Sequence, residues 1–519
     1  MKKITLIIFL FFLVKNFGQN NGSLDQSFGP YFSPTVSDKD DTLQDFLIDS
    51  QNYIVSVGRT YHQNAYDFAL CSVNSNGNYN LNFGNDGIYH GTNVVGGNPN
   101  KIEKVANGYL AVGYYYPSFG SNLSFAIAKY LNNGVLDTSF ANNGLLIDSM
   151  FNGSDNAVSA KELSNGKIVV MGTNVDSHVR VTMLMINNNG SIDTSFGSNG
   201  KKILNFPNNS RRYSISQMEL VGTNKIIIAG NSTLNNTSVN EKDIFVAKLN
   251  IDGSFDSSFG VNGLSILNIT NYSENVAELS FYDNGDFILT GTIYNDNDSN
   301  YSETVIAKFN SNGSLISGFG TNGIKILSLI NSSNSLQEFV RTSIIDENFI
   351  YIGGSYRTTY SYYNYNGFVC KLDINGDFVT DFANQGILSF NNNIHRVVKI
   401  KFDNSNLVIG GINEYSDHDF IFTRVINSNT LDLDNLTNDS VINYYPNPVK
   451  EKLFVNLNSN DVKIIEVKIF DIDGRNVLID NDILHESHEI DLSFLSRGQY
   501  ILLLKTDNNL FYNVKILKD

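Results

Sequence analysis

Apolar and polar positions alternate along most of this chain in short runs broken by Asn, Asp and Gly. Between residues 144 and 186 the pattern predicts four strands: a short first one over 144–150, a second over 158–163, a third over 167–171 and a fourth over 179–186. Runs of this length with apolar residues at every second position read as half-buried β-strands. Asn165-Gly166, between the second and third, is a hairpin signal, because this pair tolerates the positive φ that tight hairpin turns require. No long Ala/Glu/Lys/Leu pattern is present, which argues against helical bundles and coiled coils.

The same unit recurs. One phrase, Gly-x-hydrophobic-Asp-x-Ser-Phe-Gly-x-Asn-Gly, is clearest over 190–200 and 253–263. Its phenylalanine returns at Phe28, Phe83, Phe140, Phe196, Phe259, Phe319 and Phe382, at intervals of 55 to 63 residues. A second marker, a glycine closing a β-rich run, falls at Gly58, Gly113, Gly172, Gly230, Gly291, Gly354 and Gly411. Four strands repeated at such a period are the signature of propeller blades. The predicted fold class is all-β: a seven-bladed β-propeller followed by a small β-sandwich. A β-solenoid is the alternative, but its repeats are usually shorter and lack the hairpin rhythm. The first phrase precedes any blade and the last blade, ending near Ile426, has none after it. In a closed ring the N-terminal phrase fills that vacancy and removes a free sheet edge.

The phrase resembles the delta-60 repeat of bacterial proteins over about residues 22–426. Ile316 replaces the Asp in one copy, and Ala141 and Ala383 replace the second Gly in two. That resemblance implies a repeat architecture and no single activity. After Thr430 the rhythm stops. Tyr445-Pro446-Asn447-Pro448 opens a tail that continues through Phe470-Asp471-Ile472-Asp473-Gly474-Arg475 and Leu495-Ser496-Arg497-Gly498-Gln499-Tyr500. The tail is similar to the type IX secretion sorting domain of the Bacteroidetes lineage. The sorting-motif residues are Tyr445, Pro446, Asn447, Pro448, Asp471, Gly474, Arg475, Gly498 and Tyr500. The resemblance implies export across the outer membrane by the type IX secretion machinery, then release or surface attachment; an ordinary immunoglobulin-like accessory domain is the alternative.

A basic start, Met1-Lys2-Lys3, leads into an apolar run from Ile4 to Val14, too short to span a bilayer and suited to a secretory signal peptide. The expected organisation is a signal peptide over 1–18, a propeller over 19–430, a linker over 431–440 and a sorting β-sandwich over 441–519. No transmembrane segment is expected in the mature chain. Among 519 residues, 35 Phe and 27 Tyr supply a core, while a formal net charge of −16 with no Lys/Arg block argues against nucleic acid and anionic membranes as partners. Two cysteines cannot form a disulfide framework. Cys71 and Cys370 occupy equivalent slots, held by small or apolar residues elsewhere, and read as buried fillers.

No catalytic or metal-ligating set emerges. The histidines His62, His90, His178, His395, His418, His485 and His488 form no metal signature, and no nucleophile elbow or P-loop is present. No cofactor is expected. The Asp-rich turns at 250–253, 373–376 and 471–474 match a calcium loop only in part, so turn chemistry is favoured and calcium stays the lesser alternative. The repeated Asp25, Asp137, Asp193 and Asp256 read as turn-fixing acceptors of backbone N–H groups. The variable hairpins after each marker glycine emerge on one face and are rich in tyrosine. Tyr61, Tyr114, Tyr115, Tyr116, Tyr356, Tyr360, Tyr362 and Tyr363 are the candidate binding residues, since Tyr offers an apolar face and a hydroxyl to a glycan or protein. The competing reading is that they only stiffen long hairpins. The expected function is recognition at the cell surface or in the medium: adhesion, or binding of an extracellular glycan or protein ligand. The alternatives are a polysaccharide hydrolase or lyase, and a structural surface component.

Overall fold

The computed structural model describes residues 21–28, 41–62, 65–90, 96–116, 118, 120–235, 242–269, 272–295, 298–329, 337–357, 365–390, 393–413, 419–427, 442–457, 463–471, 476–485, 487–506 and 511–519. The expected signal peptide and linker lie outside them. Residues 21–427 form one compact unit, and 428–519 belong to another.

The first unit is all-β. Its described residues make seven consecutive antiparallel sheets, each with sequence-neighbouring strands side by side. The third sheet is representative: an inner strand Ser154–Glu162, two long strands Ile168–Val175 and Val179–Ile186, and a short outer strand Lys201–Ile203. The inner strands of successive sheets pack against one another, and the first, Asp41–Ile48, packs against the last, Arg396–Asp403, so the sheets form a ring. Buried side chains fill each junction. Val55, Val57, Phe68 and Leu70 of the first sheet, for example, meet Ile102, Tyr109, Ala111 and Ala126 of the second. This is a β-propeller.

One expectation is corrected. The short run after each phrase does not open the next sheet. Leu145–Asp148 pairs with Ser124–Tyr130 as the outer strand of the second sheet. The phrase is a compact loop that doubles the chain back on the strand it has just left, and closing that short loop costs little entropy.

Six of the sheets have a bridge between the end of the third strand and the phrase: Val73 with Tyr79, Tyr130 with Leu136, Ile186 with Ile192, Leu249 with Phe255, Phe309 with Leu315, and Leu372 with Phe378. In the last sheet the same place is taken by the far end of the chain. Leu24 bridges Val425, Asp25 N–H donates to Arg424 O at 2.8 Å, and Ile426 N–H donates to Ser23 O at 2.9 Å. Phe28 is buried among Leu43, Phe46, Phe420 and Phe422 at the junction of the first and last sheets. The ring closes through its N-terminal phrase.

The second unit holds two antiparallel sheets. One is ordered Ile442–Tyr445, Lys452–Leu457, Ser487–Asp491; the other is Asn476–His485, Ile464–Asp471, Gly498–Thr506, Phe511–Lys518. Leu453 and Val455 of the first share one core with Val467, Ile469, Leu502, Leu504, Val514 and Ile516 of the second. Among the described residues, no helix is long and apolar enough to cross a membrane.

Candidate binding site

The seven marker glycines build the axis of the ring. Opposite each one, the inner strand carries a β-bulge, at Gln44, Asn100, Val158, Ser216, Ala277, Arg341 and Val398. None of these glycines has a left-handed backbone; each is needed for space. A β-carbon on Gly230 would lie 2.0 Å from Ser214 O, and one on Gly354 would lie 2.0 Å from Phe339 O. Bulges bend a strand and re-aim its side chains. Here they direct seven consecutive inner strands at one central cavity of about 250 Å³, lined among others by Gln44, Asp45, Asn100, Lys101, Gln217, Glu278, Arg341 and Lys399.

Hydrogen bonds tie this lining from strand to strand. Ile102 N–H donates to Asp45 Oδ2 at 3.1 Å, Asn100 Nδ2 donates to Ala157 O at 2.7 Å, and Gln217 Nε2 donates to Ala277 O at 2.7 Å. Glu278 sits at the centre. It is paired with Lys399, and Lys101 of the second sheet approaches it to 3.9 Å. Burial opposes the Glu278 charge, but Lys399 and Lys101 outweigh it and hold the carboxyl below its usual range. Burial also opposes the charge of Lys101, and Glu278 with Asp45 more than restores it. One layer along the inner strands, Lys161 bridges Glu103 at 3.0 Å and Glu219 at 2.9 Å. The signal for this site was in the sequence, as seven glycines, but not its meaning.

The tyrosines divide. Tyr61 faces Tyr66 across its hairpin, rings edge-on at 5.2 Å, and the Arg59 guanidinium lies 4.3 Å from the Tyr66 ring centre. Tyr114 and Tyr116 follow at 6.4 Å from each other. Tyr114 accepts a hydrogen bond from Asn98 Nδ2 at 3.1 Å. Burial, then Tyr114, raises the Tyr116 phenol, with Arg59, Tyr66 and Tyr61 close enough to act on it. So Tyr61, Tyr114 and Tyr116 come together with Tyr66, the other tyrosine of the first hairpin, and with Arg59, which the sequence reading passed over. Tyr115 packs against the core between the first two sheets. Tyr356 is tied to Ser389 of its own outer strand at 2.9 Å. Tyr360, Tyr362 and Tyr363 lie outside the described residues. On the same hairpin face, Phe339 lies 6.4 Å from Tyr294 and 5.8 Å from Tyr365, with Arg396 4.6 Å from the Tyr365 ring.

The repeated acids are turn fixers with a second duty. Ser139, Ser195 and Ser258 donate backbone N–H and hydroxyl to Asp137, Asp193 and Asp256, as Ser27 does to Asp25. The other oxygen meets a cation: Arg424, Lys129, Lys167 or Lys225. A further periodic feature was missed. Arg424, Lys129, Lys308 and Lys371 share one slot in the third strand, each 5.2–5.9 Å from the ring of the phrase phenylalanine beside it, Phe28, Phe140, Phe319 and Phe382. Cys71 and Cys370 are buried and unbonded to each other. Asp252 and Asp373 accept N–H bonds from Ser254 and Asn375 at 2.9 Å, as turn residues do. Among the described residues no group of three or more His, Cys, Asp or Glu side chains is placed to hold a metal ion.

In the tail, Asn447 grips the final strand: its Nδ2 donates to Lys515 O at 2.9 Å and its Oδ1 accepts from Leu517 N–H at 2.7 Å. Tyr445 stacks on Phe454 at 5.7 Å, and Tyr500 donates its hydroxyl to Ser496 O at 2.9 Å. Gly474 and Arg475 lie outside the described residues.

Residues 443–519 match the secretion system C-terminal sorting domain, and residues 106–140, 163–196 and 222–259 match a β-propeller domain of unknown function, DUF5122. None of the curated proteins compared matches the chain. Among solved structures, a polysaccharide lyase described as an ulvan lyase is 11% identical, covering 78% of this chain and 98% of its own, with a TM-score of 0.46. The β-propeller domain of the trilobed protease from Pyrococcus furiosus is 8% identical, covering 76% and 97%, with a TM-score of 0.37. The chain is a β-propeller protein with a type IX C-terminal sorting domain, exported to the medium or the outer cell surface.

Proposed function

We propose that the chain is a seven-bladed propeller, closed by its N-terminal phrase, that recognises carbohydrate on its hairpin face and is delivered by a β-sandwich sorting tail. The expected boundaries, 1–18, 19–430, 431–440 and 441–519, belong to this reading. The observation that carries it is the group Arg59, Tyr61, Tyr66, Tyr114 and Tyr116 at the first two sheets. Rings with hydroxyls at their edges stack on the apolar faces of sugars and hydrogen-bond their hydroxyls. An arginine stacked on Tyr66 leaves the edge of its guanidinium to donate.

The test is a glycan and protein array probed with the full chain and with a Tyr61→Ser/Tyr116→Ser double variant. Losing about 1 kcal/mol per ring should weaken glycan binding roughly thirtyfold, with the melting temperature nearly unchanged. Retained binding by the variant, or capture of proteins and no glycan, would refute the reading.

A further inference from the structure

We infer that the phrase of the fifth sheet is a docking site for an acidic, apolar peptide segment of a partner protein, with Lys308 as the cation that takes its carboxylate. The site lies at the end of the strand Asp298–Phe309 away from its hairpin, so it is independent of the carbohydrate reading. Other copies of the unit show what the slot cation ordinarily holds. Arg424 meets Asp25 of its phrase at 2.7 Å and donates to Ser75 O of the next sheet at 2.6 Å. Lys129 meets Asp137 at 3.4 Å and donates to Asn188 Oδ1 of the next sheet at 3.1 Å. Lys371 donates to Asn427 Oδ1, at the equivalent place in the last sheet, at 3.0 Å. Around Lys308 both side-chain acceptors are replaced. Ile316 stands in the place of the phrase acid, and Ile374 in the place of Asn188 and Asn427. Among the described residues Lys308 Nζ makes no hydrogen bond or ion pair; it lies 4.8 Å from the centre of the Tyr282 ring and 5.7 Å from that of Phe319.

Burial lowers the Lys308 ammonium, and Asp286 offsets this only in part. Asp286 is itself engaged: it accepts from Ser311 N–H at 3.2 Å and from Asn284 Nδ2 at 2.9 Å. A cation held partly out of water without a counter-charge gains from a carboxylate brought from outside. The phrase leaves room for one. Gly318 replaces the serine that covers the acid in other copies, and a β-carbon there would meet nothing within 4 Å. The flanks are apolar. Ile374 is 41% exposed. On the opposite face of the same strand, Phe309 and Leu315 wall a groove of about 590 Å³ with Val261, Leu264 and Ile266, and Val261 is 75% exposed. Packed sheets lie about 10 Å apart and an extended chain rises about 3.3 Å per residue, so an acid about three residues from an apolar anchor in the groove reaches Lys308. Aliphatic walls suit the side chains of a peptide and not the hydroxyls of a polysaccharide.

The experiment pans a displayed library of short peptides on the full chain and resynthesises the recovered peptides, each beside a form with Asp and Glu replaced by Asn and Gln. The acidic forms should bind roughly tenfold more tightly than the amide forms. Lys308→Met should remove that difference. Ile316→Asp should remove it too, without lowering the melting temperature, because it keeps Lys308 and fills the slot with an aspartate of the chain's own. Val261→Ser should weaken both forms and keep the melting temperature. Equal binding of the two forms, a difference that survives Lys308→Met or Ile316→Asp, unchanged binding in Val261→Ser, or the recovery of no peptide overturns the inference. If oligogalacturonate binds through Lys308 and no peptide does, the cation serves an acidic glycan and the inference falls as well.

Discussion

At Gly230 a β-carbon would stand 2.0 Å from the carbonyl oxygen of Ser214, on a backbone that cannot yield without losing its bulge. Gly230→Ala should therefore cost about 3 kcal/mol, at the upper end of overpacking, and urea denaturation would show it as a lowered midpoint. An unchanged midpoint would mean that the bulge is not the reason for the glycine. The phrase acids make a second prediction. Hydrogen bonds from the Ser258 hydroxyl and from Lys225 hold the Asp256 carboxyl at about 2, below its ordinary 3.8. A carboxyl depressed in the folded state adds stability above its unfolded value and loses it as pH falls through the folded one. Stability should drop between pH 3.8 and about 2, and Asp256→Asn should flatten that part of an acid-unfolding curve. The turn role of Asp256 was legible because Ser258 is two residues away. Its ion pair with Lys225 was not, because 31 residues separate them and only strand register brings them to 3.0 Å.

Among the elements, the closing segment 21–28 joins the two ends of the ring. It completes the last sheet with backbone bonds, an Asp25–Arg424 ion pair and a buried Phe28 ring. Phe28→Ala should cost about 3–5 kcal/mol, as for other large core rings, read by chemical denaturation. It should also promote association visible by size exclusion, because an opened ring exposes the edge of Asp419–Val425. A loss below about 1 kcal/mol with no association would show that the ring does not depend on its clasp. Strand existence and hairpins were legible from alternation and Asn-Gly turns. Strand membership was not. Leu145–Asp148 has the same alternation whichever sheet it joins, and its place was decided by the loop that turns it back on Ser124–Tyr130.

For the whole molecule, the sorting tail determines where the propeller acts. Deleting residues 441–519 should leave a folded propeller in the periplasm, detectable by fractionation and protease resistance; normal delivery to the medium or surface would contradict the role of the tail. The repeat, the clasp and the export signal were all written in the sequence, because each is carried by local residue patterns: a phrase, a hairpin, a motif of ordered residues. The tertiary structure alone decided the site. Glu278 meets Lys101 from 177 residues away, and seven bulges spread over more than 350 residues converge on one cavity. Period and propensity act along the chain over a few residues, whereas charge pairing and shared space at an axis depend on which strands a closed ring sets face to face.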